Sequence, residues 1–461
     1  MGEGEGRIGL AATVGVLLLA LLTVWVVVFS REDGGAVEAD EVSETTEPRP
    51  ETPRELVELW ASPAVLAPVR GAGAETIRVW PHDGTVTVVT AAAVRGYQTV
   101  DGREAWDAQS PPGAGDPCAA AGRANAAGLG AVLYASRDGG CSTLAVVDVA
   151  TGETRWWRQL AVGGAPVDAA GVSVAVGETT VSVSLDAGGA PDAFHRFAAE
   201  DGTPLALPRP PERAEGGCAD GRRQPVTARQ RGNRLVVLHA CQGPVPAREL
   251  SVYDADTGAW EWSHTAEGAE GAAGDEGAAL DVGAVLAGDP VLLVQGRAPT
   301  AELVAYAETG QVLWRRPLGS TDEEPSPGPL PGDHSVVAGE TLVTRYEPAP
   351  DAGVPADVWP LAGYELATGE QRWTTELTAG TQSLGLDEAG RPLLAEPAGD
   401  DLLRVLALDP ANGETALVGT VPLSPDRAYD HQFAALDEDQ LYLLTAMAAP
   451  TEKLRLHAYE R

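Results

Sequence analysis

Beyond Arg54 the chain repeats one pattern, a turn residue followed by a short alternating or continuous apolar run. It reads "DGTVTVVT" from Asp83, "GETTVSVSL" from Gly177, "GNRLVVLHA" from Gly232, "GDPVLLVQ" from Gly288 and "GETLVTRY" from Gly339. Val, Leu and Thr dominate these runs, the composition of buried β-strands. Between 18 and 30 residues after each of these markers comes a glycine preceded by Thr, Asp or Asn. Such glycines recur at Gly102, Gly152, Gly202, Gly258, Gly310, Gly369 and Gly413, with spacings of 50, 50, 56, 52, 59 and 44. Four residues past the glycine stands Trp106, Trp156, Trp262, Trp314 or Trp373, whereas Ala206 and Leu417 break the rule. No stretch of this region sustains a helical period.

Each unit therefore predicts four antiparallel strands in about 50 residues, and a four-stranded sheet repeated radially is a β-propeller blade. The glycine supplies the positive φ of a tight hairpin between the third and fourth strands. The tryptophan is placed on the outer strand, filling the wedge against the next blade with its indole N–H on a backbone carbonyl. The chain ends predict how the ring closes. "LDEDQLYLLTA" from Leu436 is one more inner turn and strand, and "KLRLHAYER" from Lys453 is a third strand with no turn after it. The missing outer strand is "RELVELWAS" from Arg54, which carries Trp60. One blade is thus assembled from both termini, leaving no open sheet edge. Outer strands at Trp60, Trp106, Trp156, Ala206, Trp262, Trp314, Trp373 and Leu417 give an all-β, eight-bladed propeller. Seven blades is the alternative, if the weak unit near Ala206 has decayed.

The hydrophobic pattern differs at the N-terminus. Ile8 to Phe29 is 22 residues without a charge, about 33 Å as a helix at ~1.5 Å per residue and long enough to span a bilayer. No small-x-small cleavage site and no lipoprotein cysteine follows, so the segment reads as an uncleaved signal anchor. The expected organisation is a short cytoplasmic tail at 1–7, a transmembrane helix at 8–29, an acidic Pro/Thr-rich disordered linker at 30–54 and the propeller at 55–461. The linker lacks aromatics and cannot bury enough apolar surface to order itself. The expected location is the cell membrane, single-pass, with the C-terminal domain outside the cytoplasm.

A net charge of −35 over 461 residues argues against nucleic acid and against docking on anionic lipid, both of which need clustered Lys and Arg. The seven histidines (His82, His195, His239, His264, His334, His431, His457) show no metal-ligand spacing and read as surface or turn residues. No phosphate loop and no nucleophile elbow is present. Of the four cysteines, Cys118 and Cys141 are 23 residues apart, as are Cys218 and Cys241. In each unit the first precedes the first strand and the second follows the second strand. Those two loops emerge on one face, so intra-blade disulfides Cys118–Cys141 and Cys218–Cys241 are expected. Metal binding, the alternative, would call for close pairs such as C-x-x-C.

The repeats resemble those of the pyrroloquinoline quinone (PQQ)-like β-propeller superfamily, whose docking motif has the form Ala-x-Asp-x-x-Thr-Gly-x-x-x-Trp. Asp148, Thr151, Gly152 and Trp156 match it, as do Asp254, Thr257, Gly258 and Trp262. Thr309, Gly310 and Trp314 match with Tyr306 in the acidic place, and Thr368, Gly369 and Trp373 match with Glu365 there. The resemblance spans roughly 56–461. It implies the quinoprotein alcohol dehydrogenase-like fold and, by the motif, a structural docking role for Trp60, Trp106 and the matched Gly and Trp residues. The superfamily holds quinone- and calcium-dependent dehydrogenases as well as non-enzymatic BamB-like and sensor-type members. This chain has no adjacent cysteines, no C-x-x-C-H and no assignable Glu/Asn/Asp calcium set. The expectation is therefore a non-enzymatic, cofactor-free module of the cell envelope that binds or scaffolds a protein partner. A small-molecule or glycan sensor using the central funnel is the alternative, and a divergent PQQ-dependent oxidoreductase stands behind it.

Overall fold

A computed structural model describes residues 54–460 apart from 64, 67–76, 138–139, 161–166, 168–171, 186–192, 210, 212–217, 219–222, 242–246, 268–281, 297–300, 320–326, 332–334, 350–351, 356, 400–401, 424–426, 438–439 and 448–452. The expected tail, span and nearly all of the linker lie outside the described residues. Among the described residues no helix is long and apolar enough to cross a membrane.

Strands pair in eight antiparallel sheets, each built from consecutive strands except the last. Blade 1 runs Arg78–His82, Thr85–Val89, Val94–Gln98, Glu104–Ala108. Blade 2 runs Pro117–Ala120, Leu129–Ala135, Cys141–Asp148, Thr154–Gln159. Blade 3 is Val172–Val176, Thr180–Leu185, Ala193–Ala198 and a two-residue outer strand, Pro204–Leu205. Blade 4 is Arg223–Arg231, Arg234–Cys241, Ala247–Asp254, Trp260–Glu267. Blade 5 is Val282–Gly288, Val291–Gln295, Glu302–Tyr306, Val312–Pro317. Blade 6 has a split inner strand, Gly328–Leu330 and Val336–Ala338, both paired to Thr341–Glu347, then Val358–Glu365 and Gln371–Thr378. Blade 7 is Gln382–Leu386, Pro392–Pro397, Leu402–Leu408, Thr415–Pro422. The unit near Ala206 therefore keeps its blade, and the count is eight.

Blade 8 takes Arg427–Asp437, Gln440–Met447 and Lys453–Glu460 from the C-terminus and Glu58–Ala61 from the N-terminus. Trp60 pairs with Ala458 and Ala61 with His457 in the closing register. The closure reaches further than the sequence pattern implied. Just before that strand, Glu55 bridges Thr420 of blade 7 in parallel, with Leu56 N–H on Thr420 O at 2.8 Å and Thr420 N–H on Arg54 O at 3.0 Å. One N-terminal segment thus ties blade 7 to blade 8, and opening the ring there breaks pairing on both sheets.

The core is a ring of wedges between neighbouring blades. Leu292, Leu303 and Trp314 of blade 5 pack on Leu342, Ala362 and Tyr364 of blade 6. Trp60, Tyr442 and Leu456 of blade 8 pack on Val86, Val88 and Tyr97 of blade 1. Second and third strands are buried on both faces, Thr85–Val89 and Thr180–Leu185 along their whole lengths. This is why they read as Val/Leu/Thr runs rather than as strict alternation. The smallest wedge lies between blades 3 and 4, where Ala228, Leu235, Val237, Tyr253 and Ala255 meet Phe194 and Leu207.

Candidate functional site

Two kinds of feature could carry function in this ring, the seams that make its faces rigid and the polar groups set into them. Four of the seams share one bond from an outer strand to the next blade. Trp60 Nε1–H donates to Thr99 O at 2.7 Å, Trp156 to Ala199 O at 2.7 Å, Trp314 to Leu366 O at 2.7 Å and Trp373 to Pro410 O at 2.9 Å. In every case the acceptor lies three residues before the next blade's turn glycine. The Trp106 indole N–H, by contrast, is buried with no acceptor among the described residues. The rings also press on the glycines. A Cβ at Gly369 would lie 2.4 Å from Trp314, one at Gly152 2.5 Å from Trp106 and one at Gly310 2.7 Å from Trp262. These turns therefore require glycine twice over, for φ of 68°, 74° and 78° and for room.

Three features of the seams escaped the sequence reading. Tyr97, Phe197, Tyr253 and Tyr364 each stand five residues before a turn glycine and are buried in the wedge. Phe197 meets Trp156 of the preceding blade with ring centroids 5.6 Å apart. That aromatic-to-glycine spacing was a legible signal. The second feature was not. Where Ala206 replaces the tryptophan, Arg196 of the neighbouring strand takes its part. Its guanidinium donates to Ala206 O at 3.1 Å and to Ala255 O, the carbonyl three residues before Gly258. The arginine is 5% exposed. Burial lowers its pKa, and Asp256 and Asp254 oppose that shift. Asp256 in turn accepts from Thr179 N–H at 2.8 Å and Thr179 Oγ1 at 3.0 Å, so polar bonds hold this seam in place of an indole.

The third concerns histidine. His239 and His457 are core residues, not the surface or turn groups expected. His457 Nδ1 lies 3.1 Å from Glu58 Oε2 across the closing strands, where Tyr459 OH also donates to Glu58. His239 stands directly opposite Glu249 in blade 4. His457 pairs instead with Ala61 and reaches Glu58 diagonally across the closing strands.

Both cysteine pairs are disulfides, Cys118–Cys141 and Cys218–Cys241. In blade 4, Cys218 precedes the first strand as expected, while Cys241 is the last residue of the second strand rather than beyond it. In blade 2, Cys141 follows the second strand as expected and opens the third, while Cys118 lies inside the first strand rather than before it. A register shift between Pro117 and Ala119 turns Cys118 out of the ladder. Beside the blade 4 disulfide lies Glu249, fully buried, accepting Cys218 N–H at 2.6 Å and Ser251 Oγ–H at 3.0 Å. The ligating atoms of Cys218, Cys241 and Glu249 lie within 4.8 Å of one another, the one such group among the described residues. A shallow cleft between blades 6 and 7 is lined by Arg345, Trp359, Thr381, Gln382 and Ser383 together with Leu361, Leu377 and Leu394. The Arg345 guanidinium lies 4.1 Å over the Trp359 ring.

A PQQ-like family model, described as outer membrane protein assembly factor BamB, matches residues 246–439, from blade 4 into blade 8. The resemblance drawn from the Thr-Gly and Trp motifs therefore holds over those residues. No curated protein matches the sequence. Among solved structures, quinohemoprotein alcohol dehydrogenase ADHIIG from Pseudomonas putida HK5 is 13% identical, covering 88% of this chain and 76% of that one at a TM-score of 0.49. BamB from Moraxella catarrhalis is 14% identical, covering 88% and 98% at 0.42. Sqt1 of Saccharomyces cerevisiae is 10% identical, covering 89% and 99% at 0.49.

Proposed function

We propose that this PQQ-like propeller is a non-catalytic protein-binding module, anchored to the membrane by 8–29 and held outside the cytoplasm on the acidic linker. The observation that carries the reading is the family match over 246–439 to a protein described as an assembly factor, on a ring whose seams are built for rigidity. Rigid faces with variable loops suit recognition of a macromolecular partner. The charge of −35 favours a partner with a basic face, since complementary potentials steer association and select partners. The two disulfides fit an oxidising compartment. Crosslinking in cells followed by mass spectrometry tests the reading, with one dominant envelope protein as the expected product. Stoichiometric uptake of PQQ and Ca²⁺ with dye-linked alcohol oxidation would overturn it in favour of a dehydrogenase. Protease shaving of intact cells tests the location, and a chain left uncut would place the propeller inside.

A further inference from the structure

We propose that Cys218, Cys241 and Glu249 form a redox-gated zinc site, closed as the disulfide and able to bind Zn²⁺ once that bond is reduced. A fully buried carboxylate is costly unless it is hydrogen-bonded, paired or bound to a metal. Glu249 is 0% exposed; its Oε2 accepts from the N–H of Cys218, a disulfide residue, and its Oε1 accepts from the Ser251 hydroxyl on the same strand. Two sulfurs bonded to each other and one carboxylate oxygen lie within 4.8 Å of one another, so the three donors of a zinc site are gathered at one point. Zinc ligands at about 2.3 Å for sulfur and 2.0–2.2 Å for oxygen stand about 3.5–3.8 Å apart, so breaking the disulfide must let the sulfurs part from bonding distance to about 3.8 Å while the carboxylate closes on them, with water as fourth ligand. Thiolate donors also select zinc over Mg²⁺ or Ca²⁺, which prefer oxygen.

The chain carries its own control. Cys118 and Cys141 have the same sequence separation of 23, yet no third ligating side chain joins them among the described residues. The Cys118 sulfur instead meets Leu133 O at 3.4 Å. Equal spacing therefore leaves one pair as a cross-link alone and sets the other against a carboxylate.

The chemistry balances in two steps. A dithiol reductant supplies two electrons and two protons, the S–S bond breaks, Cys218 and Cys241 become thiols, and the reductant leaves as its own disulfide. Zn²⁺ then displaces both thiol protons to solvent and is held by two thiolates and the Glu249 carboxylate, a site of net charge −1.

The test uses the full chain, oxidised or reduced with a dithiol that is removed under argon before equilibration with zinc. Bound metal is measured directly, and substitution by Co²⁺ is read from the thiolate-to-cobalt charge-transfer band. The reduced chain is expected to hold one zinc and the oxidised chain none. The Cys118→Ser/Cys141→Ser variant should keep the zinc and the band. Cys218→Ser/Cys241→Ser should lose both, and Glu249→Gln should weaken binding by at least about tenfold, no less than the loss of an outer-shell partner. Far-UV circular dichroism reports whether each form stays folded. The proposal is overturned if the reduced chain takes up no zinc or loses its β-signal on reduction. It is equally overturned if the Cys218/Cys241 variant binds as the parent does, or if a folded Glu249→Gln binds undiminished.

Discussion

Trp156 and Trp157 are adjacent, and the structure assigns them opposite fates. Trp156 is 6% exposed, wedged against Phe197 and Gly202 of the next blade with its N–H on Ala199 O. Trp157 points outward at 40% exposure. Replacing Trp156 by Ala removes about 150–250 Å² of buried ring, worth about 4–6 kcal/mol at ~25 cal/mol per Å². A compact unfolded chain trims that by roughly 10–40%, leaving about 3–5 kcal/mol, the range measured for large-to-small core changes. Trp156→Phe keeps most of the ring and forfeits the hydrogen bond, about 1 kcal/mol. Trp157→Ala should cost about 1 kcal/mol or less. Urea unfolding followed by far-UV circular dichroism measures all three. If Trp157→Ala costs as much as Trp156→Ala, or if Trp156→Ala costs under about 1 kcal/mol, then the indole is not what holds the seam.

Gly369→Ala should destabilise by about 2 kcal/mol or more, the left-handed strain alone being about 1–2 kcal/mol, because its Cβ would strike Trp314. Gly84→Ala, also at positive φ but with open space around it, should lose only the strain term, and equal losses in thermal melts would refute the steric argument. Arg196→Met should cost about 2–4 kcal/mol by stripping donors from buried carbonyls, whereas Arg103→Met, at an exposed site, should be neutral; a neutral Arg196→Met in urea titration would remove it from the seam. Tyr97 is pushed up to about 12 by burial, against the pull of Arg95, and burial also raises Tyr134 and Tyr364. Unfolded tyrosine ionises near 10.0, so the stabilising contribution is complete below that pH and is lost as pH climbs from there through the folded value. Phenolate absorbance from these residues should appear only with loss of the β-signal, and full ionisation of all nine tyrosines near pH 10 in a folded chain would contradict their burial.

Much of this was legible because propeller architecture writes itself locally. A glycine with positive φ and a tryptophan four residues on mark each hairpin and its outer strand, and both are short-range requirements of one unit. Arg196 was hidden for the opposite reason. It lies ten residues before Ala206, on a different strand, and only the seam between two blades shows that its guanidinium reaches the carbonyl an indole would have taken. The zinc-competent group was hidden likewise. Equal spacings made the two cysteine pairs look equivalent, and Glu249 reads as an ordinary strand residue until the fold turns it inward beside one of them.

By itself the sequence determined the period, the split blade and the cysteine partners, while leaving the count between seven and eight. Each depends on backbone conformation or hydrophobic pattern within one repeat or at a chain end. Tertiary structure decided how one blade meets the next: which carbonyl each wedged indole reaches, how an arginine serves a seam without an indole, and how Arg54–Ala61 spans two sheets. It also decided which disulfide sits against a buried carboxylate. These are contacts between residues tens to hundreds of positions apart, set by the side-by-side packing of closed sheets, and no local pattern encodes that geometry.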